Sequence, residues 1–548
     1  MKRKLFSIAV LSSLSIMAAA QEIEVMSTME GRAIYSPPNI EQYQQDGSSY
    51  TYSNDKNALS YAAKLDSSNI RSMLFTLASD EYEGRATGEA GGKKAEGYIS
   101  NFFKTKGIPA GNNGSYLQNI GMLFREGKQK RFEFGNFTYY DEMEYSNKIQ
   151  NDSLIKGNEI IFAGYGSYSP SYNDFSNIDI QDKTIMVFEG TPNNKYGISY
   201  STENNSSSYS YYSRLSSYIK SKKPKAILRI KNGFEKTDSY YGSDKRLVFN
   251  DEESSPDIPI ISINELLANK ILESTGKTVK QIQFEVEKNG QSPSQVIKAP
   301  FTLRGEYKFE DANANNIVAF IEGSDLKSEY VVVSAHYDHN GKQNKTIYNG
   351  ADDNASGVSA VLEMARIFMQ AKKEGKGQRR SIIFLLTTAE ENGLYGSQYY
   401  TSNPIYPLET TVACLNIDMV GRIATPYLTS DNNDYVYVVN DKRYSGNLTK
   451  WVDAVNTGST KLKLDYQHTS PGDPDYYFSR SDQYNFANKK VPSIMFTSGE
   501  HKDYHKATDD AELIDYNGLL KRTKLAFLLT WELANSDVKP IWKSNYDY

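Results

Sequence analysis

The residues best suited to chemistry in this chain are histidines and acids that follow short apolar segments. Glu390 and Glu391 stand side by side after SIIFLLTTA, and Asp418 directly follows the apolar segment TVACLNI. Adjacent carboxylates raise each other's pKa unless a positive charge lies nearby, and a buried carboxylate needs a partner. Of the five histidines in the chain, all except His468 flank the ends of such segments: His336, His339, His501 and His505. A bound metal ion would explain these positions together.

Each position also has a purely structural explanation. A single histidine after a strand is often a surface or hydrogen-bonded residue, and a pair of glutamates often lies in a solvated turn. Asp352 and Asp353 precede a predicted helix, where acids commonly cap the first turn. The metal hypothesis is favoured because several of these features meet at one edge of the same predicted sheet.

The types of side chain in this group indicate which metal it would bind. Histidine and carboxylate ligands without a cysteine among them suit zinc, in a site that keeps an open coordination position. An open position is typical of catalytic rather than structural zinc. The group contains more acids than one zinc ion needs, and two ions about 3.5 to 4 Å apart, bridged by a carboxylate, would use them.

The elements that must position these residues alternate along the last part of the chain. Strands and helices are predicted there as follows: strands at 330–335, 381–386, 411–417 and 491–498, and helices at 355–371 and 517–534. This alternation predicts an α/β fold, with a mostly parallel mixed sheet and helices on both faces. Sites in such folds form beyond the carboxyl ends of the strands, where the histidines and acids occur.

The earlier part of the chain is organised differently. Helical periodicity occurs twice within residues 66–130, which are assigned to the N-terminal part of the catalytic domain. Residues 131–300 read as a β-rich domain with a Ser- and Tyr-rich solvated loop, and they contain no histidine, so we do not expect them to hold the metal. The catalytic domain resumes at 301–535 and is followed by a tail at 536–548.

The first residues predict export to the periplasm or the cell exterior. Residues 1–20 have a basic start, an apolar run and small residues at the end, which is typical of a secretory signal cleaved before Gln21. A polar leader is predicted at 21–65. Cleavage would remove three basic residues and no acid, which changes the formal net charge from −5 to −8.

Composition excludes some partners and some chemistry. The scattered, mildly acidic charge gives no reason to expect nucleic acid as a partner. After the signal, no segment is long and apolar enough to act as a membrane anchor. The single cysteine, Cys414, cannot form an intramolecular disulfide and is interpreted as a small buried hydrophobe.

Five motifs, taken in order, resemble those of the di-zinc exopeptidase family that contains bacterial aminopeptidases, glutamate carboxypeptidase II and glutaminyl cyclases: SAHYDH, GADDNASG, TAEENGLYGSQ, NIDMVG and YHKATDD. The segment LASDEYEGRATGEAGG resembles the N-terminal part of that family. The segment FAGYGSYSPSYNDF resembles the protease-associated domain that is often inserted before the metal motifs. The resemblance therefore implies a zinc exopeptidase fold, interrupted at 131–300 by a protease-associated domain.

The resemblance also implies a role for each matching residue. Two zinc ions would share five ligands, with one bridging carboxylate: His336, Asp353 and Asp418 on one ion, and Asp353, Glu391 and His505 on the other. Glu390 would be the general base, which takes a proton from a zinc-activated water and passes it to the leaving amine.

Three further residues are expected to support the site. Asp338 comes two residues after His336, on the same side of an extended chain, and would orient its imidazole. Asp482, in SRSDQYNF, matches a Ser-Asp element of the family and would act in a similar way. Tyr504, adjacent to His505, would either steady the tetrahedral intermediate or simply pack.

The function implied by the motifs is that of an aminopeptidase acting on peptide substrates. A glutamate-type carboxypeptidase is an alternative, for which Arg422 is the candidate to hold a substrate carboxylate. A glutaminyl cyclase would use one zinc ion, whereas the complete set of five ligands favours two. A non-enzymatic binding protein would be expected to have lost ligands, and here none is missing.

Overall fold

The computed structural model describes residues 50–139, 143–145, 153–200, 217–231, 245–249, 258–429, 433–440, 447–469 and 473–542. The predicted signal, most of the predicted leader and the end of the tail lie outside these ranges. The helices within them are α1 (Lys56–Ala62), α2 (Ser67–Leu77), α3 (Ala90–Lys106), α4 (Ser217–Lys222), α5 (Glu265–Leu272), α6 (Val279–Asn289), α7 (Gly357–Lys373), α8 (Tyr395–Ser402), α9 (Leu448–Gly458), α10 (Gln483–Asn488) and α11 (Tyr516–Asn535).

The strands within the same ranges are β1 (Leu117–Asn119), β2 (Met122–Phe134), β3 (Phe137–Tyr139), β4 (Met143–Tyr145), β5 (Ser153–Phe162), β6 (Thr184–Phe188), β7 (Ala226–Ile230), β8 (Arg246–Phe249), β9 (Ile260–Ile263), β10 (Gln295–Asp311), β11 (Asn315–Ile321), β12 (Leu326–His336), β13 (Lys342–Gln343), β14 (Thr346–Ile347), β15 (Arg380–Thr387), β16 (Thr411–Ile417), β17 (Tyr435–Val439), β18 (Lys463–Asp465) and β19 (Ser493–Thr497).

One sheet contains the apolar strands predicted after residue 300, in the order β1-β11-β15-β12-β16-β19-β17-β18. We call it the catalytic sheet. Its central strands β15, β12, β16 and β19 are mutually parallel, whereas β11 and β17 pair antiparallel with β15 and β19. The sheet is therefore mixed with a parallel centre, and the predicted α/β class is confirmed.

Helices cover both faces of the catalytic sheet because its central strands are apolar on both sides. Val331 and Val333 of β12 belong to a core that also includes residues of α2, α3, α7 and α11. Val332, between them, belongs to the opposite core with Tyr400 of α8 and Phe486 of α10. Successive residues of a strand point to opposite faces, which explains this division.

A second sheet, which we call the insertion sheet, lies between Met122 and Asp311 and has the order β3-β2-β10-β5-β6-β7-β9-β4, with β8 beside β2. Its main core includes residues of α5 and α6. The long strands β2 and β10 pair with each other from Leu123 to Phe134, and they cross the domain limits at 130 and 300 that the sequence analysis assigned. In the ranges that the structure describes, no helix has the length and apolar character needed to cross a bilayer.

The described chain begins with a segment that lies against the last helix. The Ser53 backbone N–H and hydroxyl both donate to Glu532 of α11, at 3.0 and 2.7 Å, and the Tyr50 hydroxyl donates to the same carboxylate. Helix α1 follows at once and buries Ala58 and Tyr61. The polar leader predicted to extend to residue 65 therefore ends earlier, because this short apolar stripe can pack against the catalytic domain.

Candidate metal centre

Neighbouring strands bring the predicted site residues to one edge of the catalytic sheet. His336 is the last residue of β12, Asp418 directly follows β16, and Glu390 and Glu391 come shortly after β15. His505 lies in the loop that follows β19. Because β15, β12, β16 and β19 are adjacent and parallel, their carboxyl ends meet.

Asp353 lies at the centre of the site, and its two carboxylate oxygens face different histidines. Oδ1 is 3.2 Å from His336 Nε2, and Oδ2 is 2.9 Å from His505 Nε2. His336 Nε2 is also 3.2 Å from Asp418 Oδ1, and His505 Nε2 is 3.1 Å from Glu391 Oε2. Two groups of nitrogen and oxygen atoms thus share one carboxylate.

The hydrogen bonding of His336 suits a cation between these groups. Its Nδ1 lies 3.1 Å from the backbone carbonyl oxygen of Asp338, which can only accept, so Nδ1 carries a proton. The other ring nitrogen, Nε2, faces one oxygen of Asp353 and one of Asp418, and a neutral imidazole would offer both only a lone pair. A divalent metal ion bound by this nitrogen and these oxygens removes the conflict.

The pKa values of the histidines reflect the same excess of negative charge. Burial alone would lower the pKa of His336, but the carboxylates of Glu390, Asp418 and Asp353 outweigh it and hold that pKa well above its ordinary value. For His505, burial alone would also lower the pKa, but hydrogen bonds to Asp353 and Glu391 outweigh it and raise the pKa to about 10. A metal ion that binds here would replace these protons, as expected for imidazole ligands.

The turn that carries Asp353 is separate from the helix after it. Ala351–Ser356 form a tight turn of their own, so α7 begins at Gly357, two residues later than predicted. The side chain of Asn354 ties this turn to β16, since its Nδ2 donates to the carbonyl oxygen of Ile417 at 2.9 Å. The same turn thereby fixes Asp353 beside Asp418.

Glu390 lies next to the cluster and has a different environment from Glu391. Its Oε2 is 4.0 Å from His336 Nε2. Burial raises the pKa of Glu390 well above its ordinary value; His336 opposes the rise, and the negative charge of Asp418 adds to it. A carboxyl group with a raised pKa can both take and give a proton near neutral pH. A carboxylate oxygen of Glu390 also lies within 4.8 Å of a ring nitrogen of His336 and a carboxylate oxygen of Asp418. Distance alone therefore does not show whether Glu390 is a base or a metal ligand.

Asp338 acts on His336 through a different atom from the one predicted. Its backbone carbonyl contacts the ring at 3.1 Å, whereas its carboxylate Oδ1 is 3.8 Å from the same nitrogen. The carboxylate accepts instead from the backbone N–H of Glu390, at 3.2 Å, and from the Thr87 hydroxyl, at 3.1 Å. The carboxylate thus lies farther from the ring than the carbonyl oxygen, because the chain turns after His336 and directs the carboxylate toward the Glu390 loop. The role predicted for the Asp338 side chain stays a prediction.

Asp482 is buried near the site, but its neighbour makes the closer contact. Ser481 donates its hydroxyl to Asp418 Oδ2 at 2.6 Å, so it holds the oxygen that faces away from His336. Asp482 accepts from the Thr387 hydroxyl at the end of β15. Sequence reasoning assigned the support of the metal ligands to the aspartate of the Ser-Asp pair and missed the serine.

Tyr504 packs directly on a predicted ligand. Its ring stacks on that of His505, with centroids 3.9 Å apart and an interplanar angle of 28°. Its hydroxyl oxygen lies 3.2 Å from Nη2 of Arg480, a residue to which the sequence analysis assigned no role.

His339 is a residue of the site that sequence reasoning noted without a role. It is almost completely buried, and its Nδ1 is 2.6 Å from Glu391 Oε1 and 3.7 Å from Asp353 Oδ2. His339, Asp353 and Glu391 form a further group whose ligand atoms lie within 4.8 Å of one another. The spacing of two histidines in SAHYDH was the available signal.

Two long-range contacts that the sequence analysis missed hold the loops of the site. Arg85 is fully buried and donates to the carbonyl oxygens of Tyr337 at 2.9 Å and Gly350 at 2.8 Å, next to His336 and Asp353. Asp509 Oδ2 accepts from the backbone N–H of Asp353 at 3.1 Å. Burial lowers the pKa of Arg85 to about 10 and raises that of Asp509 to about 6.

Two other charged residues noted in the sequence are paired inside the protein. Arg422 is buried, donates to Asp503 at 2.6 Å and lies 3.6 Å from Asp509.

His468 is the one histidine that the sequence analysis did not place at a strand end. Its Nδ1 lies 3.2 Å from Asp473, and its Nε2 lies 2.9 Å from the side-chain amide of Gln467. His468 therefore has a partner at each ring nitrogen.

Fold and site together define a class of protein: an α/β domain with a histidine and carboxylate cluster, suited to a metal, at the carboxyl edge of its sheet. Residues 316–530 match the model of peptidase family M28. The matched residues include all five predicted metal ligands. The resemblance to zinc exopeptidases inferred from the motifs is thereby confirmed at the level of the family.

Among curated relatives, leucine aminopeptidase 1 of Paracoccidioides brasiliensis strain Pb03 is 28% identical over 225 residues, which are 41% of this chain and 56% of that protein. A probable glutamate carboxypeptidase, VP8 of Zea mays, is 26% identical over 317 residues, 54% of this chain and 42% of that protein. The chain thus spans about half the length of these curated relatives.

One solved structure, an aminopeptidase from Aneurinibacillus sp. strain AM-1, has a TM-score of 0.50 and 17% sequence identity to this chain. The match covers 88% of this chain and 97% of that one. The similarity supports a shared fold.

Proposed function

We propose that this chain is an exported zinc-dependent aminopeptidase that removes N-terminal residues from peptides. The observation that carries the proposal is the position of Asp353, whose two oxygens lie 3.2 and 2.9 Å from different histidine nitrogens. A carboxylate placed between two imidazoles is the arrangement that a bridging ligand requires. The match to family M28 and the basic, apolar and small-residue pattern of residues 1–20 support the peptidase class and export, respectively.

Five residues would hold two zinc ions, with Asp353 shared: His336 and Asp418 on one side, Glu391 and His505 on the other. Zinc bound there supplies a Lewis acid, which lowers the pKa of water and polarises a carbonyl group. Ser481 and His339 would hold the ligand oxygens that point away from the metals, on Asp418 and Glu391.

Glu390 would carry the proton. Its carboxyl group lies beside the cluster with a pKa raised by burial, and its backbone N–H is held by Asp338. In the proposed reaction, Glu390 accepts a proton from the attacking water and donates it to the amine that leaves. The ordered loop keeps this carboxyl group in place for both transfers.

The environment of Arg422 favours an aminopeptidase over a glutamate-type carboxypeptidase. A carboxypeptidase needs a free cation to hold the substrate's terminal carboxylate. Arg422, the candidate for this role, is buried and already paired with Asp503 at 2.6 Å, so binding a substrate there would require breaking a buried ion pair.

We also propose that residues 131–300 are a protease-associated domain that borders the catalytic cleft. Phe249 of β8, in the insertion sheet, packs edge to face on Tyr395, with centroids 4.7 Å apart. Tyr395 begins α8, a few residues after Glu390 and Glu391. The insertion therefore contacts the loop that carries the proposed base.

The test uses one peptide in free, N-acetylated and C-amidated forms, incubated with the zinc-loaded protein and followed by mass spectrometry. We expect stepwise loss of N-terminal residues from the free and the C-amidated forms, and no cleavage of the acetylated form. Cleavage of the acetylated form from its C-terminus would assign a carboxypeptidase instead. Loss of ammonia from an N-terminal glutamine without peptide cleavage would assign a cyclase.

A further inference from the structure

A cavity of about 440 Å³ lies apart from the candidate metal centre, between residues 111–119, which include β1, and residues 399–406 at the end of α8. Its volume falls within the range of about 300 to 1,000 Å³ that is usual for small-molecule sites. Its polar lining consists of five side-chain amides and two tyrosines, Tyr399 and Tyr406. None of the described residues that line it carries a charge, so the cavity suits a neutral ligand.

Two hydrogen bonds join the walls of the cavity. The Gln118 side chain donates through Nε2 to the carbonyl oxygen of Asn403 at 2.9 Å, and the Tyr406 hydroxyl donates to the carbonyl oxygen of Gly111 at 2.8 Å. The ring of Tyr406 also stacks on Phe320 of β11, with centroids 4.9 Å apart. The cavity is therefore formed before a ligand arrives, which reduces the entropy lost on binding.

The amides keep hydrogen-bonding capacity for a ligand. A side-chain amide has two N–H donors and an oxygen with two lone pairs. Gln118 uses one donor on Asn403 and one lone pair on Asn316, so one of each remains. Asn113 and Asn403 are exposed, and the Tyr399 hydroxyl has no hydrogen-bond partner among the described residues.

These groups match the chemistry of a neutral saccharide. Adjacent hydroxyls on a sugar ring each donate and accept, and a side-chain amide can pair with both at once. The C–H face of a sugar is apolar, and tyrosine offers an apolar ring that ends in a polar hydroxyl. Amides on two facing walls suit hydroxyls arranged around a compact ring better than peptide groups arranged along a strand.

A buried amide connects the cavity to the Glu390 loop, residues 388–396. Asn316 is fully buried, and its Nδ2 donates both to Gln118 Oε1 at 3.1 Å and to the carbonyl oxygen of Gly396 at 2.9 Å. Its Oδ1 accepts from the backbone N–H of Thr388 at 3.2 Å. One side chain thus holds both ends of the loop and a residue that lines the cavity.

Helix α8 is a second connection. It begins at Tyr395, at the end of the Glu390 loop, and it carries Tyr399 before it ends at Ser402, next to Asn403. A helix of eight residues spans about 12 Å, so a short regular element separates the loop from the cavity wall.

We propose that this cavity binds a neutral saccharide and that its occupancy stabilises the Glu390 loop. A ligand that requires the assembled cavity stabilises the contacts that assemble it. The contact between Gln118 and Asn316 is one of these, and Asn316 also closes the loop. Saccharide binding is measured without a peptide substrate, so its failure is distinguishable from a failure of the proposed function.

Binding is tested by calorimetry on the zinc-loaded protein with cellobiose and diacetylchitobiose. We expect at least one of the two disaccharides to bind saturably, with a Kd on the order of 1 mM, as for a small neutral ligand. Glucuronic acid, which carries a carboxylate, should bind more weakly. Absence of binding by both disaccharides, or tighter binding of glucuronic acid, would overturn the proposal. Binding of a blocked dialanine peptide in place of both disaccharides would assign the cavity to peptides.

Two variants locate the bound saccharide. Tyr399→Phe removes a hydroxyl that the described fold does not use, and it should weaken binding about fivefold, the effect of one lost hydrogen bond. Asn113→Gly should have a similar effect, and glycine accepts the φ of 48° at this position without strain. Asn54→Gly is the matched control, because Asn54 is also exposed, has a φ of 50° and does not line the cavity. Unchanged binding in both cavity variants would overturn the proposal.

Hydrogen exchange tests the effect on the loop. At a saturating concentration of the disaccharide, residues 111–119, 399–406 and the Glu390 loop should exchange more slowly, whereas β6 and β7 of the insertion sheet should change less. In Tyr399→Phe at the same concentration, the slowing should be smaller at all three places. Slower exchange confined to the two cavity walls, or equal slowing throughout the protein, would overturn the connection to the Glu390 loop.

Discussion

The catalytic sheet and the insertion sheet bury carboxylates in opposite ways. At the edge of the catalytic sheet, Asp353, Glu391 and Asp418 lie close together, and each faces a histidine nitrogen within 3.2 Å. In the insertion, Asp174 lies in the loop between β5 and β6 and is buried. The first arrangement concentrates negative charge in one place, whereas the second is a single carboxylate that needs hydrogen-bond donors.

Local donors satisfy Asp174. Its Oδ2 accepts from the backbone N–H groups of Tyr165 and Ser167, both at 3.0 Å, and its Oδ1 accepts from the Ser292 hydroxyl at 2.7 Å. Nearby hydrogen-bond donors can thus accommodate a buried acid without an ion, and a buried acid by itself is not a sign of a metal site. What marks the catalytic sheet is the convergence of several acids on imidazoles.

The largest expected effect separates the two acids of the glutamate pair. Glu390→Gln should lower turnover on the order of 10²-fold or more while zinc is retained, because a proton carrier is lost but no ligand is. Glu391→Gln should lower zinc affinity as well as turnover. The measurements are peptide turnover and elemental analysis of the purified variants. Glu159→Gln, at a surface ion pair of the insertion sheet, is the control and should change neither quantity.

Equal loss of zinc from both variants at positions 390 and 391 would contradict the division of roles between base and ligand. If both variants retained their full zinc content, Glu391 would not be a ligand. His339 would then be the next candidate for that position, because its Nδ1 lies 3.7 Å from Asp353 Oδ2.

Chelation of the metal should affect the two sheets unequally. Zinc at a thousandfold excess over its Kd stabilises the folded state by about 4 kcal/mol, and this contribution belongs to the catalytic sheet alone. Hydrogen exchange measured with and without a chelator should show β12 and β16 losing protection while β6 and β7 keep theirs. Uniform loss across both sheets would mean that the insertion depends on the metal centre for its stability.

A smaller effect concerns the pH dependence of the insertion sheet. Burial raises the pKa of Asp174 from its ordinary value of 3.8 to about 6. Between these two pH values the folded state keeps a proton on Asp174 that the unfolded chain has released. The stability that this proton contributes is fully present below pH 3.8 and is lost as pH rises through about 6. The loss amounts to about 3 kcal/mol.

Asp174→Asn should remove this dependence, since an amide cannot ionise and can still accept from Tyr165 and Ser167. The free energy of unfolding of the insertion can be measured with denaturant at about pH 4 and about pH 7, with hydrogen exchange of β6 and β7 as the probe. The wild type should be more stable at the lower pH, and this difference should shrink in the variant. An unchanged difference would assign the pH dependence to other groups.

The smallest expected effect tests a helix end in the insertion. Thr278 caps α6, its side chain accepting from the backbone N–H of Gln281 while the Gln281 side chain accepts from Thr278. Thr278→Ala should lower the stability of the insertion by about 1 kcal/mol and leave peptide turnover unchanged. Thr410→Ala is a comparison variant from the catalytic domain: Thr410 ends the short 3₁₀ helix Leu408–Thr410, and its hydroxyl donates to the carbonyl oxygen of Pro407. A change in turnover for Thr278→Ala would mean that the insertion is coupled to the active site.

The strands and the ligand cluster of the catalytic sheet could be predicted because both depend on short-range patterns. β12 and β16 are apolar runs, and parallel strands bring their carboxyl ends together, so a residue such as His336 or Asp418 is placed by the strand before it. Asp353 came from the resemblance to known motifs, since the turn of residues 351–356 has no periodicity from which its position could be read.

The supporting contacts could not be predicted because they depend on tertiary placement of backbone groups. Arg85 donates to carbonyl oxygens of residues more than 250 positions away, and nothing in the local sequence identifies those partners. Asp338 was placed on the correct side of the chain, but the acceptor for His336 is its backbone carbonyl, which every residue possesses. Ser481 and Asp482 are neighbours, and only the direction of the chain between β18 and α10 decides which one reaches Asp418.

The contact of Tyr50 with Glu532 has a consequence for the order of synthesis, because it joins residues that are 482 positions apart. At typical rates of translation, α11 leaves the ribosome roughly half a minute or more after the first described residues. The insertion sheet, complete once residue 311 has been made, can fold while the catalytic sheet still lacks strands and its last helix. A chain truncated before α11 would therefore contain every proposed metal ligand and still be unable to bury the apolar surface that brings them together.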